Sequence, residues 1–231
     1  MYIIGEIGVN WDGNFDLLKE MMNQAKKSGC DSVKFQAFNE KLVHNHKQSS
    51  RLMKSAIAEN NIEEIDKLSK SVGIEWFCTP MYVEAVELLD PFVHRFKIRE
   101  YDSKPLLQNK STPLLEKILE TGKDVLISSE ANPRNSKFFN NSQIKWLYCV
   151  PKYPCEISDI NFKELHDFDG FSNHCNNIIA PLTAAILGAK IIEIHISSDK
   201  TGDFIDNKVS FDYKELFELV DLIHNSEKIK K

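Results

Sequence analysis

Residues 168–197 read FDGFSNHCNNIIAPLTAAILGAKIIEIHIS. The stretch opens on a short run at 168–174, passes through an apolar segment that stops at Gly188, and enters a β-branched run at 190–197. A strand, a helix closed by glycine and a second strand is the βαβ unit of a parallel sheet. Each of the two strands closes on polar residues, Ser172 and His174 in one, Glu193 and His195 in the other. Side chains two apart share a face of a strand, so each pair points the same way.

The same unit recurs along the whole chain. Further strand-like runs lie at 2–9, 31–37, 74–80, 94–100, 124–130 and 144–150, which makes eight with the two above. Between them apolar residues recur at helical spacing, as in Leu17, Met21 and Ala25, in Ile62, Ile65 and Leu68, and in Leu216, Leu219 and Ile223. Gly29, Gly73 and Gly122 close helices as Gly188 does. No linker rich in Ser, Gly or Pro interrupts the alternation, and no glycine-rich dinucleotide loop follows the first strand. Eight units in 231 residues fit an α/β fold of the (β/α)8 barrel (TIM barrel) type, one domain over 1–231, rather than an open doubly wound sheet. Two connections are longer than such a barrel needs: 39–60, with His44, His46 and a helical stretch, and 102–112, a polar segment. Both follow strands, so both fall on the catalytic face and would cover a substrate.

Bulk composition excludes several classes. With 42% hydrophobic and 27% charged residues the chain is an ordinary globular one. No apolar run approaches the roughly 20 residues of a membrane helix, and no basic leader precedes the first strand; a cytoplasmic protein is expected. Five cysteines without a CxxC pair read as reduced thiols. A formal net charge of -5 with scattered Lys and Arg argues against a nucleic-acid surface. The only basic run, Lys228, Lys230 and Lys231, reads as a solvated helix end.

Polar pairs at even spacing recur near the strand ends. They are Glu6 and Asn10, four apart, and, two apart, Lys34 and Gln36, Lys97 and Arg99, Ser128 and Glu130, besides the two already quoted. So many ionisable groups inside a barrel are costly unless they pair or bind something. A lone histidine at a strand end is ordinarily a hydrogen-bonded core residue. Two ending consecutive strands, beside Glu193 and Cys175, set against that reading, with equal weight, one divalent ion with open positions for water or substrate. Lys34, Lys97 and Arg99 in one cavity call for an anion, phosphate or carboxylate, unless Glu6 and Glu130 neutralise them. Asp206 could serve the ion or a substrate hydroxyl, with Asp203 as its nearby competitor.

These residues sit in segments that resemble the sialic acid synthase family, the phosphoenolpyruvate-dependent synthases of nine-carbon sugar acids. GEIGVNWDGN (5–14), VKFQAF, CTP, FKI, PLLEKILETGK, VLISS, YCVPKYP, GFSNH, EIHI and DNKVSFDYKEL (206–216) follow in the family's order. The resemblance implies a condensation of phosphoenolpyruvate with an open-chain N-acylhexosamine or related aldehyde sugar, giving a nonulosonic acid and phosphate. It implies a divalent metal held by His174 and His195, manganese first, with magnesium or cobalt as alternatives. Lys34, Lys97, Ser128 and Ser172 would hold the donor; Glu6, Gln36, Tyr153 and Asp206 would contact the sugar or metal-bound water, with Glu6 and Asp206 in catalytic roles.

The sequence departs from the family pattern at Arg99 to Asp102, where a serine and a glutamate are usual, with Asp102 as a stand-in for the glutamate. It also departs at Pro151 (usually Asn), Trp11 (His), Asn173 (Asp) and Glu130 (Gly). Most members continue into an antifreeze-like domain that lends an arginine to a partner's site. On this reading the arginine comes from elsewhere, such as a separate antifreeze-like subunit or, internally, Arg99, or it is absent; a barrel-to-barrel homodimer is a separate expectation. The competing reading is a non-catalytic sugar-binding or subunit-dependent relative.

Overall fold

The alternation of β-branched runs with helical segments closes on itself. In the computed structural model, which describes residues 1–229, eight parallel strands pair in sequence order and β8 returns to β1. The strands are β1 Tyr2–Glu6, β2 Ser32–Ala37, β3 Glu75–Pro80, β4 Arg95–Ile98, β5 Asp124–Ser129, β6 Ile144–Cys149, β7 Gly170–Asn173 and β8 Ile191–His195. The helices are α1 Phe15–Ser28, α2 Glu40–Val43, α3 Ser49–Ser55, α4 Ile62–Val72, α5 Glu84–Leu89, α6 Glu100–Leu107, α7 Pro113–Glu120, α8 Ile179–Ile186 and α9 Tyr213–Ile229. This is the expected (β/α)8 barrel. Among the described residues no helix is long and apolar enough to cross a membrane. Lys230 and Lys231 of the basic tail lie outside the described residues.

The outer ring differs from eight complete units. Between β5 and β6 lies only a 3-10 turn, Pro133–Asn135, and between β6 and β7 the 3-10 segments Ile157–Asp159 and Phe162–Asp167. Both connections are rich in Asn, Asp, Ser and Pro, which satisfy backbone groups locally and so favour turns over helix. Aromatic packing takes the helices' place: Tyr148 meets Phe162, Phe168 and Phe171 at centroid distances of 5.5–5.9 Å. The segment after β4 corrects the expectation the other way, because α6 occupies most of the stretch read as a polar loop, with Pro105 inside it.

α1 shows how local sequence fixes an element. The Asn14 side chain accepts hydrogen bonds from Asp16 N and Leu17 N, Gly29 closes the helix at φ 94, and Leu18, Met21, Met22 and Ala25 are buried. Asn14→Ala should lower stability by about 1 kcal/mol, roughly 2–4 °C in Tm, by thermal denaturation. An unchanged Tm would show that the cap contributes nothing.

Side chains of laterally paired residues face the same side of a parallel sheet, so the register defines layers inside the barrel. At the N-terminal end Tyr2 donates its hydroxyl proton to Glu75 Oε2 at 2.9 Å, and the Arg95 guanidinium lies 4.4 Å from the Tyr2 ring centre. Above that plug Ile4, Phe77, Leu126 and Leu147 are fully buried. β7 and β8 approach so closely there that a Cβ on Gly170 would fall 2.1 Å from the Ile191 carbonyl oxygen. The next layer is polar and forms the floor of a cavity at the C-terminal strand ends.

Candidate active site

The barrel opens at its C-terminal end into a cavity of about 500 Å³. Glu6, Lys34, Gln36, Lys97, Arg99, Ser128, Tyr153, Ser172, His174, Glu193, His195 and Asp206 all line it, so eleven of the twelve expected site residues, joined by Glu193, share one space. Strand pairing accounts for the floor. Glu6 sits beside Lys34 on one side and His195 on the other, and Ser172 lies between Cys149 and Glu193.

Glu193 organises the floor. Its Oε2 is 2.8 Å from Lys97 Nζ, and its Oε1 accepts the Ser172 hydroxyl at 2.7 Å and lies 3.9 Å from Lys34 Nζ. Lys34 Nζ is 2.9 Å from Glu6 Oε1 and also donates to Thr79 Oγ1. Burial alone would raise the Glu193 carboxyl, but the two ammonium groups outweigh it and hold the group well below the usual carboxylate range. Burial lowers Lys97 despite Glu193, whereas Glu193 and Glu6 together keep Lys34 raised. The floor lysines are thus already neutralised, by Glu6 and Glu193. Glu130, the other expected counter-ion, is exposed and lines a separate hollow beside Tyr148 and Asp159.

Two polar atoms on this floor are nevertheless buried with no partner among the described residues: Glu6 Oε2 and Ser128 Oγ. Glu6 is otherwise engaged, accepting Gln36 Nε2 at 2.9 Å through Oε1, and burial raises its carboxyl above the usual range. Buried polar atoms without partners are rare and call for a bound group.

His174 and His195 are brought together as expected, with ring centres 5.4 Å apart. Nδ1 of His174 is 2.9 Å from the Val150 carbonyl oxygen and Nδ1 of His195 is 3.3 Å from that of Asn173. A carbonyl can only accept, so each Nδ1 carries the proton and each Nε2 keeps a lone pair. Burial lowers both pKa values, for His195 with the added proximity of His174, and keeps the rings neutral. The Tyr153 ring packs edge-on against both, at 4.9 and 5.6 Å. Half of Tyr153 is exposed, yet it also lines the cavity, where its hydroxyl lies near Asp206. Among the described residues no three His, Cys, Asp or Glu side chains converge closely enough to bind an ion by themselves. The imidazole pair suits a metal that keeps water or substrate in its other positions.

Asp206, not Asp203, faces the cavity: Asp203 is exposed and bridges to Arg51 at 3.2 Å. Burial, then the nearby Glu6 carboxylate, pushes the Asp206 carboxyl up to about 7. Asp102 departs from expectation. It lies off the central cavity wall in the first turn of α6, where its Oδ2 accepts Arg99 Nε at 2.6 Å, so the two form a rim pair. The cysteine beside the histidines is Cys149, 3.6 Å from His174 Nδ1; Cys175 lies outside the lining. Trp11 is buried against Phe15 and Asn173 bonds the backbone of Cys175, so neither shapes the wall, whereas Pro151 does. Sequence reasoning missed Thr79, Cys149 and the α6 residues Glu100, Tyr101 and Lys104. Thr79 carried a usable signal, being the polar residue of the CTP stretch that ends β3. The long 39–60 connection does reach the cavity, through Leu52.

Three comparisons point to one family. The model of the NeuB family matches residues 21–231. An uncharacterized protein of Methanocaldococcus jannaschii is 31% identical over 99% of the chain and 71% of its own length. The N,N'-diacetyllegionaminic acid synthase of Legionella pneumophila is 30% identical over 99% of the chain and 72% of its own length. The crystal structure of N-acetylneuraminic acid synthetase from Leptospira borgpetersenii, in complex with citrate, superposes with a TM-score of 0.87 at 26% identity, covering 99% of this chain and 84% of that one. The chain therefore belongs to the NeuB family, whose members are phosphoenolpyruvate-dependent sugar-acid synthases.

Proposed function

We propose that the chain joins C3 of phosphoenolpyruvate to the aldehyde carbon of an open-chain N-acylhexosamine or related sugar, giving a nonulosonic acid and phosphate. Synthases of this family are generally divalent-metal dependent, and manganese is the ion we propose, magnesium or cobalt being alternatives. The observation that carries this reading is the floor itself. Two buried ammonium groups, Lys34 and Lys97, share the Glu193 carboxylate, with Glu6 also on Lys34, beside the Ser128 hydroxyl, which has no partner among the described residues, and two neutral imidazoles.

Lys34, Lys97, Ser128 and Ser172 suit the anionic donor, fixing it where reorganisation is small. An ion bound by Nε2 of His174 and His195 would act as Lewis acid on the aldehyde oxygen. The fit rests on the two available lone pairs and on the free Glu6 Oε2, which can accept a hydrogen bond from water or a sugar hydroxyl. The chemistry needs one proton delivered to the aldehyde oxygen and one removed from the water that attacks C2 before phosphate leaves. Asp206 titrates near neutrality, so its protonated carboxyl can give the first and its carboxylate take the second, returning the enzyme to its starting state. Gln36 steadies Glu6, and Tyr153 steadies Asp206. Arg99 is bonded to Asp102 at the rim. We place the reaction in the cytoplasm, where the five free, buried thiols stay reduced.

The test is phosphate release from phosphoenolpyruvate by manganese-loaded protein against a panel of N-acylated hexosamines and aldose phosphates, with product mass read in parallel. Acceptor-dependent release with a product of the summed mass less phosphate and plus water supports the reading. No release with any acceptor turns it toward a non-catalytic or subunit-dependent relative.

Asp206 also makes a prediction on stability. Its folded pKa of about 7 lies above the ordinary 3.8, so the folded state binds the proton more tightly than the unfolded chain. That contribution is full below about pH 4 and is lost as pH rises through about 7. Asp206→Asn should therefore gain about 2 kcal/mol on the parent between pH 5 and pH 8, roughly 4–8 °C in Tm, measured in chelator. Equal Tm differences at the two pH values would remove Asp206 as the proton carrier.

A further inference from the structure

Asp206 stands on an irregular connection, yet its backbone is held on both sides by buried side chains. Its N–H donates to Asn10 Oδ1 at 3.0 Å, and its carbonyl oxygen accepts the Ser210 hydroxyl at 2.7 Å. Asn10 Nδ2 in turn donates to Ser210 Oγ at 3.0 Å, which closes a ring of hydrogen bonds, and to the Ile196 carbonyl oxygen at 2.9 Å. Asn10 and Ser210 are fully buried. Ile196 directly follows His195, and its N–H is bonded to the carbonyl of Glu6 at 2.9 Å. The Asn10 amide thus ties the turn after β1 to the strand end that bears His195 and to the turn that bears Asp206.

Neither Asn10 nor Ser210 lines the cavity, so neither meets substrate directly. Every hydrogen-bonding atom of the Asn10 side chain is nevertheless spent on the backbone or support of a site residue. A residue serving only as a turn cap would bond its own local backbone two or three residues on. Here the sequence separations are 186 to 200 residues.

We infer that Asn10 and Ser210 are positioning residues that fix the Asp206 carboxylate opposite Glu6 and Tyr153 for proton transfer. This rests on the function proposed above. The groups facing the Asp206 carboxylate are Glu6, Lys34 and Tyr153, and a shift of the Asp206 backbone alters its distance to all three. Proton transfer needs hydrogen-bond reach, so a displacement of an ångström lowers turnover without weakening the donor site, which lies on the lysines and serines.

The experiment is a double-mutant cycle on the phosphate-release assay, with the panel sugar that is turned over fastest. Asn10→Ala and Ser210→Ala should each lower kcat by about 10–100-fold and leave KM for phosphoenolpyruvate within about twofold. In an Asp206→Asn background the same changes should cost less than about twofold further, because the group they position is gone. Tm is measured on every variant; Ser210→Ala removes the smaller side chain and serves if Asn10→Ala does not fold. Losses that multiply fully with Asp206→Asn, or that appear in KM for phosphoenolpyruvate, overturn the positioning role and leave the proposed reaction standing. Full activity of Asp206→Asn alone, or no turnover by the parent, overturns the reaction scheme and the inference with it.

Discussion

Glu193→Ala is expected to unsettle the fold and the donor site together. The carboxylate is 3% exposed and is the common counter-ion of Lys34 and Lys97, so among the described residues its removal leaves Lys97 without a carboxylate within salt-bridge distance and Lys34 with Glu6 alone. Breaking one side of a buried ion pair costs about 3–5 kcal/mol, because the remaining charge stays desolvated. In a domain of this size that is roughly 10–15 °C in Tm. The chemical consequence is larger. Burial already lowers the Lys97 pKa with Glu193 present, and without it the amine is driven toward its neutral form at working pH. A neutral amine does not hold an anionic donor, so kcat/KM for phosphoenolpyruvate should fall by about 1,000-fold, near 4 kcal/mol. Glu193→Gln keeps the shape and an acceptor for Lys97 or Ser172, and should lose less on both measures. Parent-like Tm and KM in Glu193→Ala would mean that the lysines do not depend on this carboxylate.

Glu193 also marks what the sequence revealed and what it did not. The eight strands were legible because each is a short run, mostly apolar or β-branched, set between helical patterns, and the spacing of two within most runs gave the inward polar residues. Which carboxylate pairs with which lysine depends on register across β1, β2, β4 and β8, and that is settled by barrel closure rather than by any local pattern. Glu6 and Glu130 looked equivalent as counter-ions because both stand at strand ends. Only Glu6 faces inward; Glu130 lies one residue beyond β5, where the chain has already turned outward. The same limit hid α6. Its eight residues contain Pro105 and carry charges on several sides, so no clear apolar stripe announces it, and it forms because Ser103 and Leu106 are buried against the barrel. Asn10 was visible as a polar residue near a strand end, but its partners lie 186 to 200 residues away and no spacing rule reaches them.

His195→Ala is expected to abolish metal binding and, with it, phosphate release. His195 is 5% exposed, and its ring is held by the Asn173 carbonyl on one side and Tyr153 on a face. A neutral imidazole with Nδ1 tied back is the usual form of a metal-ligating histidine, and loss of even such an outer partner costs 10–100-fold in metal affinity. Loss of the ligand itself should weaken manganese binding by more than about 100-fold, read by calorimetry or by the signal of free manganese in electron paramagnetic resonance. Phosphate release should fall about 1,000-fold or more, since Lewis-acid stabilisation contributes several kcal/mol. The stability change should be smaller than in Glu193→Ala, because removing a neutral ring leaves no charge stranded. The two variants therefore separate the two halves of the floor. Glu193→Ala should keep manganese affinity close to the parent value while losing the donor; His195→Ala should keep phosphoenolpyruvate binding, measured directly, while losing the metal. If His195→Ala binds manganese as tightly as the parent, the ion is held elsewhere, and the imidazole pair returns to being a packed, hydrogen-bonded wall of the cavity.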